Sequence, residues 1–373
     1  MLVPRSLLVK LLAVTYLVVV TLIYFHYFHA YLTRGEWENI DIGLTRIILP
    51  DVYQYMVIID PNDVITSILE SRVKNTIGPS FLWVISGFSW INMILINALF
   101  VFLILHYLEK NLMLLQVSKN KIRLLMILIV ALPSTPFYML GVGKELVTML
   151  LLLVILYASN ISNYRLFLLS ASLLVLFRYQ FLPIIVVFFL IMKVKQRLGL
   201  LILLLFFAGS IYPLLHDFRL TSNEATTIFR SFQQATVGHV FEIVRNEYYV
   251  FSFFAVIVRV FQTVFEPALT FIGAPLNFFF ENGYFSVYRF VQFTSMVLML
   301  PFIIFYILSL RLLFKRDSAN IQLHESANIL FLMCTFFIGG FSFIHHRYWA
   351  PIFPILIMAL FSNFQLRSNM KVK

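Results

Sequence analysis

Apolar runs long enough to cross a bilayer recur along almost the whole chain, and they leave few folds open. They fall at about 7–26, 81–107, 123–140, 145–159, 164–177, 180–193, 198–215, 289–312, 327–344 and 349–363. A helix needs roughly 20 apolar residues to cross a hydrocarbon core of about 30 Å. In lipid every backbone N–H and C=O must find its partner inside the protein, so only helices and closed barrels span. A barrel would show segments of about ten residues alternating apolar and polar. With 61% hydrophobic and 12% charged residues, this chain shows continuous apolar runs instead. The sequence therefore predicts an all-α, polytopic helical membrane protein with about ten transmembrane helices. Residues 1–373 form one membrane domain, with external loops at about 28–80 and 216–288. The fourth to sixth runs are short, and their length suits tilted, broken or partly re-entrant helices.

The net charge of +11 does not imply nucleic acid. Lys and Arg collect in the cytoplasmic loops of helical membrane proteins. With the N-terminus inside, the inner segments carry 16 basic residues and three acids (Glu109, Asp317, Glu325). The outer segments carry 12 basic residues and 14 acids, so the split is +13 against −2. This predicts cytoplasmic N- and C-termini. Arg5 and Lys10 precede an apolar stretch, as in a signal peptide. No small-residue cleavage site follows, only Tyr24-Phe25-His26-Tyr27, so the stretch reads as a retained first helix. The single cysteine, Cys334, lies in an apolar run and excludes a disulfide framework or a cysteine metal site.

In that topology three outer turns are very short, and each carries a cation. They are Gly141-Val142-Gly143-Lys144-Glu145, Phe177-Arg178-Tyr179 and His345-His346-Arg347-Tyr348. One such cation alone is ordinarily an interfacial side chain snorkelling to headgroups. Three at one face suit a shared anionic ligand. Arg178 and Arg347 can hold phosphate oxygens through two N–H groups at once, with Lys144 as a point charge. Lys144 follows two glycines and opens the next helix, whose N-terminus favours an anion. Gly-Val-Gly-Lys lacks the spacing of a nucleotide P-loop and follows no strand.

The first long loop supplies a carboxylate among aromatic residues: Asp51 after Pro50, with Tyr53 and Tyr55 near. That combination suits a sugar, with Asp51 as general base, though an Asp there also makes a good helix N-cap. Glu145 can pair with Lys144 or position a hydroxyl. The second long loop is apolar and aromatic over 250–280, with Arg259, Glu266, Pro267 and Pro275 spaced through it, and reads as interfacial helices. His345 and His346 are adjacent, so on a helix they point about 100° apart and do not suit one metal ion. No metal or cofactor is implied. GxSxG, CxxC and HExxH are absent.

Taken in order, these residues resemble a family. Asp51 with its aromatics, Pro133-Ser134-Thr135-Pro136-Phe137-Tyr138 leading to Gly143-Lys144-Glu145, the lone Arg178, and Arg347-Tyr348 with Pro351 and Pro354 behind look like bacterial O-antigen and exopolysaccharide repeat-unit polymerases. The pattern is also similar to the wider integral-membrane glycosyltransferases that use polyprenyl-linked donors. The resemblance implies transfer of a glycan from a polyprenyl-diphosphate carrier on the outer face of a bacterial inner membrane, with a chain-length regulator protein as partner. It implies that Lys144, Arg178 and Arg347 hold the diphosphate leaving group. Asp51 or Glu145 would then orient or deprotonate the attacking hydroxyl. Tyr179, Tyr348, Tyr53, Tyr55, His345, His346 and Arg259 would contact substrate, the last from the aromatic 250–285 region. Paired adjacent acids, found in the first loop of many single-sugar membrane transferases, are missing here, which favours a metal-independent polymerase.

Three other readings stay open on the sequence. One is a transferase using a polyprenyl-phosphate sugar. Another is a lipid-linked oligosaccharide flippase, which would need basic residues lining a path between leaflets. The third is an acyltransferase, for which the inner segments offer only the isolated His106 and His324.

Overall fold

The computed structural model describes residues 5–33, 77–194, 199–206, 287–310, 321–339 and 349–370, with a few shorter pieces between them. Eleven helices organise the described chain. They are α1 (Arg5–Thr33), α2 (Ile77–Ile85), α3 (Trp90–Leu114), α4 (Lys119–Ala131), α5 (Ser134–Met139), α6 (Glu145–Asn160), α7 (Tyr164–Phe177), α8 (Leu182–Ile191), α9 (Val287–Ser309), α10 (Ile321–Gly339) and α11 (Trp349–Met370). The described β-structure is a two-residue antiparallel ladder of β1 (Phe280–Glu281) and β2 (Tyr284–Phe285). The all-α expectation holds. Among the described residues three segments are long and apolar enough to cross a bilayer: Ser6–His26, Trp90–Leu114 and Phe290–Ser309. Glu145–Asn160, Tyr164–Phe177, Tyr179–Ile191, Glu325–Ile338 and Trp349–Phe364 are apolar but shorter.

The surface agrees with a lipid environment. Leu12, Tyr16, Leu95, Leu99, Leu124, Leu168 and Phe305 are all exposed, whereas Asn97, Asn111, Thr148, Asn328 and Asn363 are buried. Water would favour the opposite arrangement, since an exposed apolar surface this extensive marks a membrane or partner contact. Buried Asn, Ser and Thr that bond between helices are the usual adhesive of membrane bundles.

Helix α6 is the axis of the bundle. All its residues from Glu145 to Leu156 are buried, with Ala158. A helix apolar all round belongs inside a bundle rather than at its rim. Packed on it are α3, α7, α10 and α11. Asn97 on α3 donates to the carbonyls of Met139 and Gly141, at 3.0 and 2.9 Å, beside the start of α6. Asn111, farther along α3, donates to Leu153 O at 3.0 Å. Helices α3 and α6 therefore run parallel, and α4 and α5 form the return between them. The turn Ile161–Asn163 sends α7 back antiparallel, so its last residues come to the first residues of α6. The Ser326 hydroxyl donates to Asn160 Oδ1 at 2.7 Å, and the Phe337 ring lies 5.4 Å from that of Phe181. Helix α10 is thus also antiparallel to α6.

Charges gather at the Asn160 end. Lys10 pairs with Glu109, and its Nζ lies 3.4 Å from His106 Nδ1. Lys110 sits over the Tyr157 ring, Lys193 bonds to the Tyr164 hydroxyl, and Arg197 lies 3.7 Å from Glu325. At the same end Asn328, Asn363 and Ser309 join α10, α11 and α9 by hydrogen bonds of 3.0 and 2.8 Å. Four of the basic residues assigned to inner segments by charge counting, Lys10, Lys110, Lys193 and Arg197, thus share this end.

Two expected spans are broken in the structure. The run 81–107 is not one helix. Helix α2 stops at Ile85, where Gly87 takes φ +63° and Phe88 N–H returns to Trp83 O at 3.2 Å, a Schellman stop. Ser89 then caps α3 through Asn92 N–H. The run 123–140 breaks at Pro133, which has no N–H to give the Ile129 carbonyl. The Thr135 hydroxyl supplies that bond instead, at 2.7 Å. The expected span 198–215 is described only over 199–206, which is helical. Most of both long loops, 28–80 and 216–288, lies outside the described residues.

Helix α2 reaches the end of α7 through Gly78. A Cβ there would stand 2.8 Å from the Phe177 ring and 3.0 Å from Leu176 O. Gly78→Ala should therefore cost about 1–3 kcal/mol of stability by overpacking, read as a lower midpoint of thermal unfolding in detergent. An unchanged midpoint would mean that α2 does not sit against α7.

Candidate functional site

The site is built where α6 begins. Helix α5 ends in the turn Leu140–Lys144, closed by Gly143 N–H to Gly141 O at 2.9 Å. Asn97 holds this turn from α3. Lys144 is the N-cap of α6 and makes no side-chain cap bond there. Glu145 follows in the first helical turn, where the exposed backbone N–H groups favour a negative charge.

Arg178 enters from the opposite direction. It caps the C-terminus of α7, with φ −148° and ψ 78°, and the chain then turns through a short 3₁₀ segment (Tyr179–Phe181) into α8. Pro183 at the start of α8 suits the first helical turn, where its missing N–H costs nothing. This corner aims the guanidinium at the start of α6. Arg178 Nη2 donates to Glu145 Oε1 at 2.9 Å, and Arg178 Nε donates to the Thr148 hydroxyl at 3.0 Å. Thr148 in turn donates to Lys144 O at 2.7 Å, one helical turn back. Glu145 and Arg178 are 3% and 2% exposed, so the pair is enclosed rather than superficial. Lys144, at 8%, is buried beside them.

One atom of the group is unsatisfied. Glu145 Oε2 is buried and has no hydrogen-bond partner. It faces Gly143, where an added Cβ would stand 2.9 Å from it. Gly143 does not need glycine for a positive φ, because Gly87 is the described glycine that has one. A side chain there would displace the end of the Glu145 carboxylate.

Three of the residues singled out in the sequence, Lys144, Glu145 and Arg178, therefore meet at one end of the bundle. Tyr179 adjoins them and is 39% exposed, so its ring faces outward. Asp51, Tyr53, Tyr55, Arg259, His345, His346, Arg347 and Tyr348 lie outside the described residues. The helices flanking 345–348 are described. Asn363 near the far end of α11 joins Asn328 and Ser309 at the Asn160 end, so the first residue of α11, the buried Trp349, belongs to the Glu145 end. Sequence reading missed Thr148 and Asn97 as parts of the site. Thr148 lies three residues after Glu145, a spacing that puts the two on one helix face.

The pair carries a stability consequence. Removing one partner of a buried ion pair strands the other charge and costs about 3–5 kcal/mol. Arg178→Met should lower the thermal midpoint sharply, and adding Glu145→Gln to it should restore much of the loss. Equal midpoints for Arg178→Met and wild type would show that the pair bears no load. No protein-family model matches this chain, and neither a curated protein nor a solved structure matches it.

Proposed function

We propose that this protein is a membrane glycosyltransferase of the repeat-unit polymerase kind. It joins polyprenyl-diphosphate-linked oligosaccharides on the outer face of a bacterial inner membrane. The observation that carries the reading is the convergence of Lys144, Glu145 and Arg178 on the N-terminus of the central helix. Two cations and a helix N-terminus suit a diphosphate, whose negative charge grows as it departs. A carboxylate at the same place suits an attacking hydroxyl.

In this reading Arg178 and Lys144 receive the diphosphate together with Arg347, from the segment between α10 and α11. Asp51 or Glu145 orients or deprotonates the acceptor hydroxyl. The two residue sets thus separate by chemistry, cations for the leaving group and carboxylates for the nucleophile. The Asn160 end, with Lys10, Lys110 and Lys193, faces the cytoplasm, as the inner excess of basic residues requires. The bundle axis argues against a transport path. From Leu146 to Asn160 the central helix has no charged residue, whereas a flippase would be expected to present charge toward the midplane.

Arg347→Ala and Arg178→Ala should each abolish the polymer ladder on a glycan gel while single lipid-linked repeats accumulate at the outer face. Repeats trapped inside the cell would favour a flippase. Normal polymer from both variants would remove these arginines from the site.

A further inference from the structure

The ion pair at the start of α6 is asymmetric. Arg178 is tied through Nε to Thr148, which is tied to the backbone of α6 at Lys144 O. Glu145 is held by Oε1 alone, while Oε2 has no partner and rests against Gly143, in the room a side chain there would take. A planar guanidinium and a carboxylate can form two parallel bonds, and here one carboxylate oxygen stays outside the arrangement. A buried carboxylate oxygen without a donor carries an unrecovered desolvation cost. Of the two partners, the arginine is anchored and the glutamate is the one placed to move.

We propose that Glu145 is a built-in competitor for the anion site: it neutralises Arg178 while the site is empty and is displaced when a phosphoryl group arrives. The proposal rests on the reading of this end of the bundle as a diphosphate site and adds an order of events to it. The incoming phosphoryl oxygens take the Arg178 Nη2 donor that Glu145 Oε1 now occupies. The carboxylate, still ionised, turns away from Arg178 and has both oxygens open to accept a hydrogen bond. A hydroxyl arriving afterwards finds a second acceptor, Oε1, that was occupied before the anion bound. No covalent bond changes in this exchange. Carboxylate and phosphate trade places on one guanidinium. Thr148 is a positioning residue in this scheme, because it keeps Arg178 in place when Glu145 leaves.

The exchange fixes the sign of an otherwise counterintuitive effect. Removing a negative charge by Glu145→Gln, or withdrawing it by one methylene with Glu145→Asp, should strengthen anion binding. Two ligands competing for one group are coupled, commonly by 5–150-fold. The purified full chain in detergent is titrated with inorganic pyrophosphate by calorimetry. Both Glu145 variants should bind about tenfold more tightly than wild type, or bind where wild type does not. Thr148→Val should bind more weakly, with Thr148→Ser near wild type. Either Glu145 variant that stays monodisperse decides the matter. Affinity unchanged or reduced on losing Glu145, with wild type binding, overturns the exchange and leaves the diphosphate reading standing. Binding by neither wild type nor variant overturns both.

Discussion

Everything near the centre of this bundle depends on a helix that has no polar side to offer. Helix α6 is apolar from Leu146 through Leu156 except for Thr148, and its neighbours enclose it. Its backbone is satisfied internally, but its first N–H groups and last C=O groups are not. Polar side chains therefore concentrate at its two ends. Asn97, Lys144, Glu145 and Arg178 gather at the first end; Asn111 serves the last turns, and Asn160, Ser326 and the Asn328–Asn363–Ser309 group gather at the second. The bundle is polar at both ends because its axis is apolar along its length.

The two ends use polarity differently. At the Asn160 end, beside the ion pairs Lys10–Glu109 and Arg197–Glu325, neutral amides and hydroxyls bond helix to helix. Such contacts suit adhesion, with modest energies that do not depend on charge. The Glu145 end contains a fully enclosed ion pair. Burying two charges costs more than their attraction returns unless geometry and further hydrogen bonds are favourable. Replacing them with well-packed apolar side chains would often stabilise the protein. A pair kept in so apolar a protein, with one carboxylate oxygen left unsatisfied, is poorly explained by stability alone, and intramembrane ionisable residues default to function.

Much of this was legible in residues. Continuous apolar runs specify helices because a barrel, the other structure that satisfies its backbone in lipid, would alternate apolar and polar residues, and the elements of the described residues are helices apart from one tiny ladder. Lys144, Glu145 and Arg178 could be singled out from charge in minimal turns. Their pairing could not, because Arg178 reaches Glu145 across 33 positions of sequence, through a turn at Asn160–Asn163 whose geometry brings two helix ends together. The break in the run 81–107 was readable in principle: Ser86-Gly87-Phe88-Ser89 combines a C′ glycine with an N-cap serine. Apolar periodicity hid it, since hydrophobicity continues across the break. Gly143 was noted for backbone approach to a ligand, and its role in making room for a carboxylate depends on the rotamer of Glu145, which sequence does not reveal.

The shortness of α6 gives the molecule a dependence on its solvent. Sixteen residues rise about 24 Å, less than the roughly 30 Å hydrocarbon core of an average bilayer. In a bilayer that seats the Asn160 end at one interface, Arg178 and Glu145 would lie recessed below the other. The depth of that recess is set partly by lipid. Thicker membranes sink the pair farther from water and thinner ones bring it toward the headgroups. Acyl-chain length would then act on the local dielectric around one arginine and one glutamate, with no change in the protein itself.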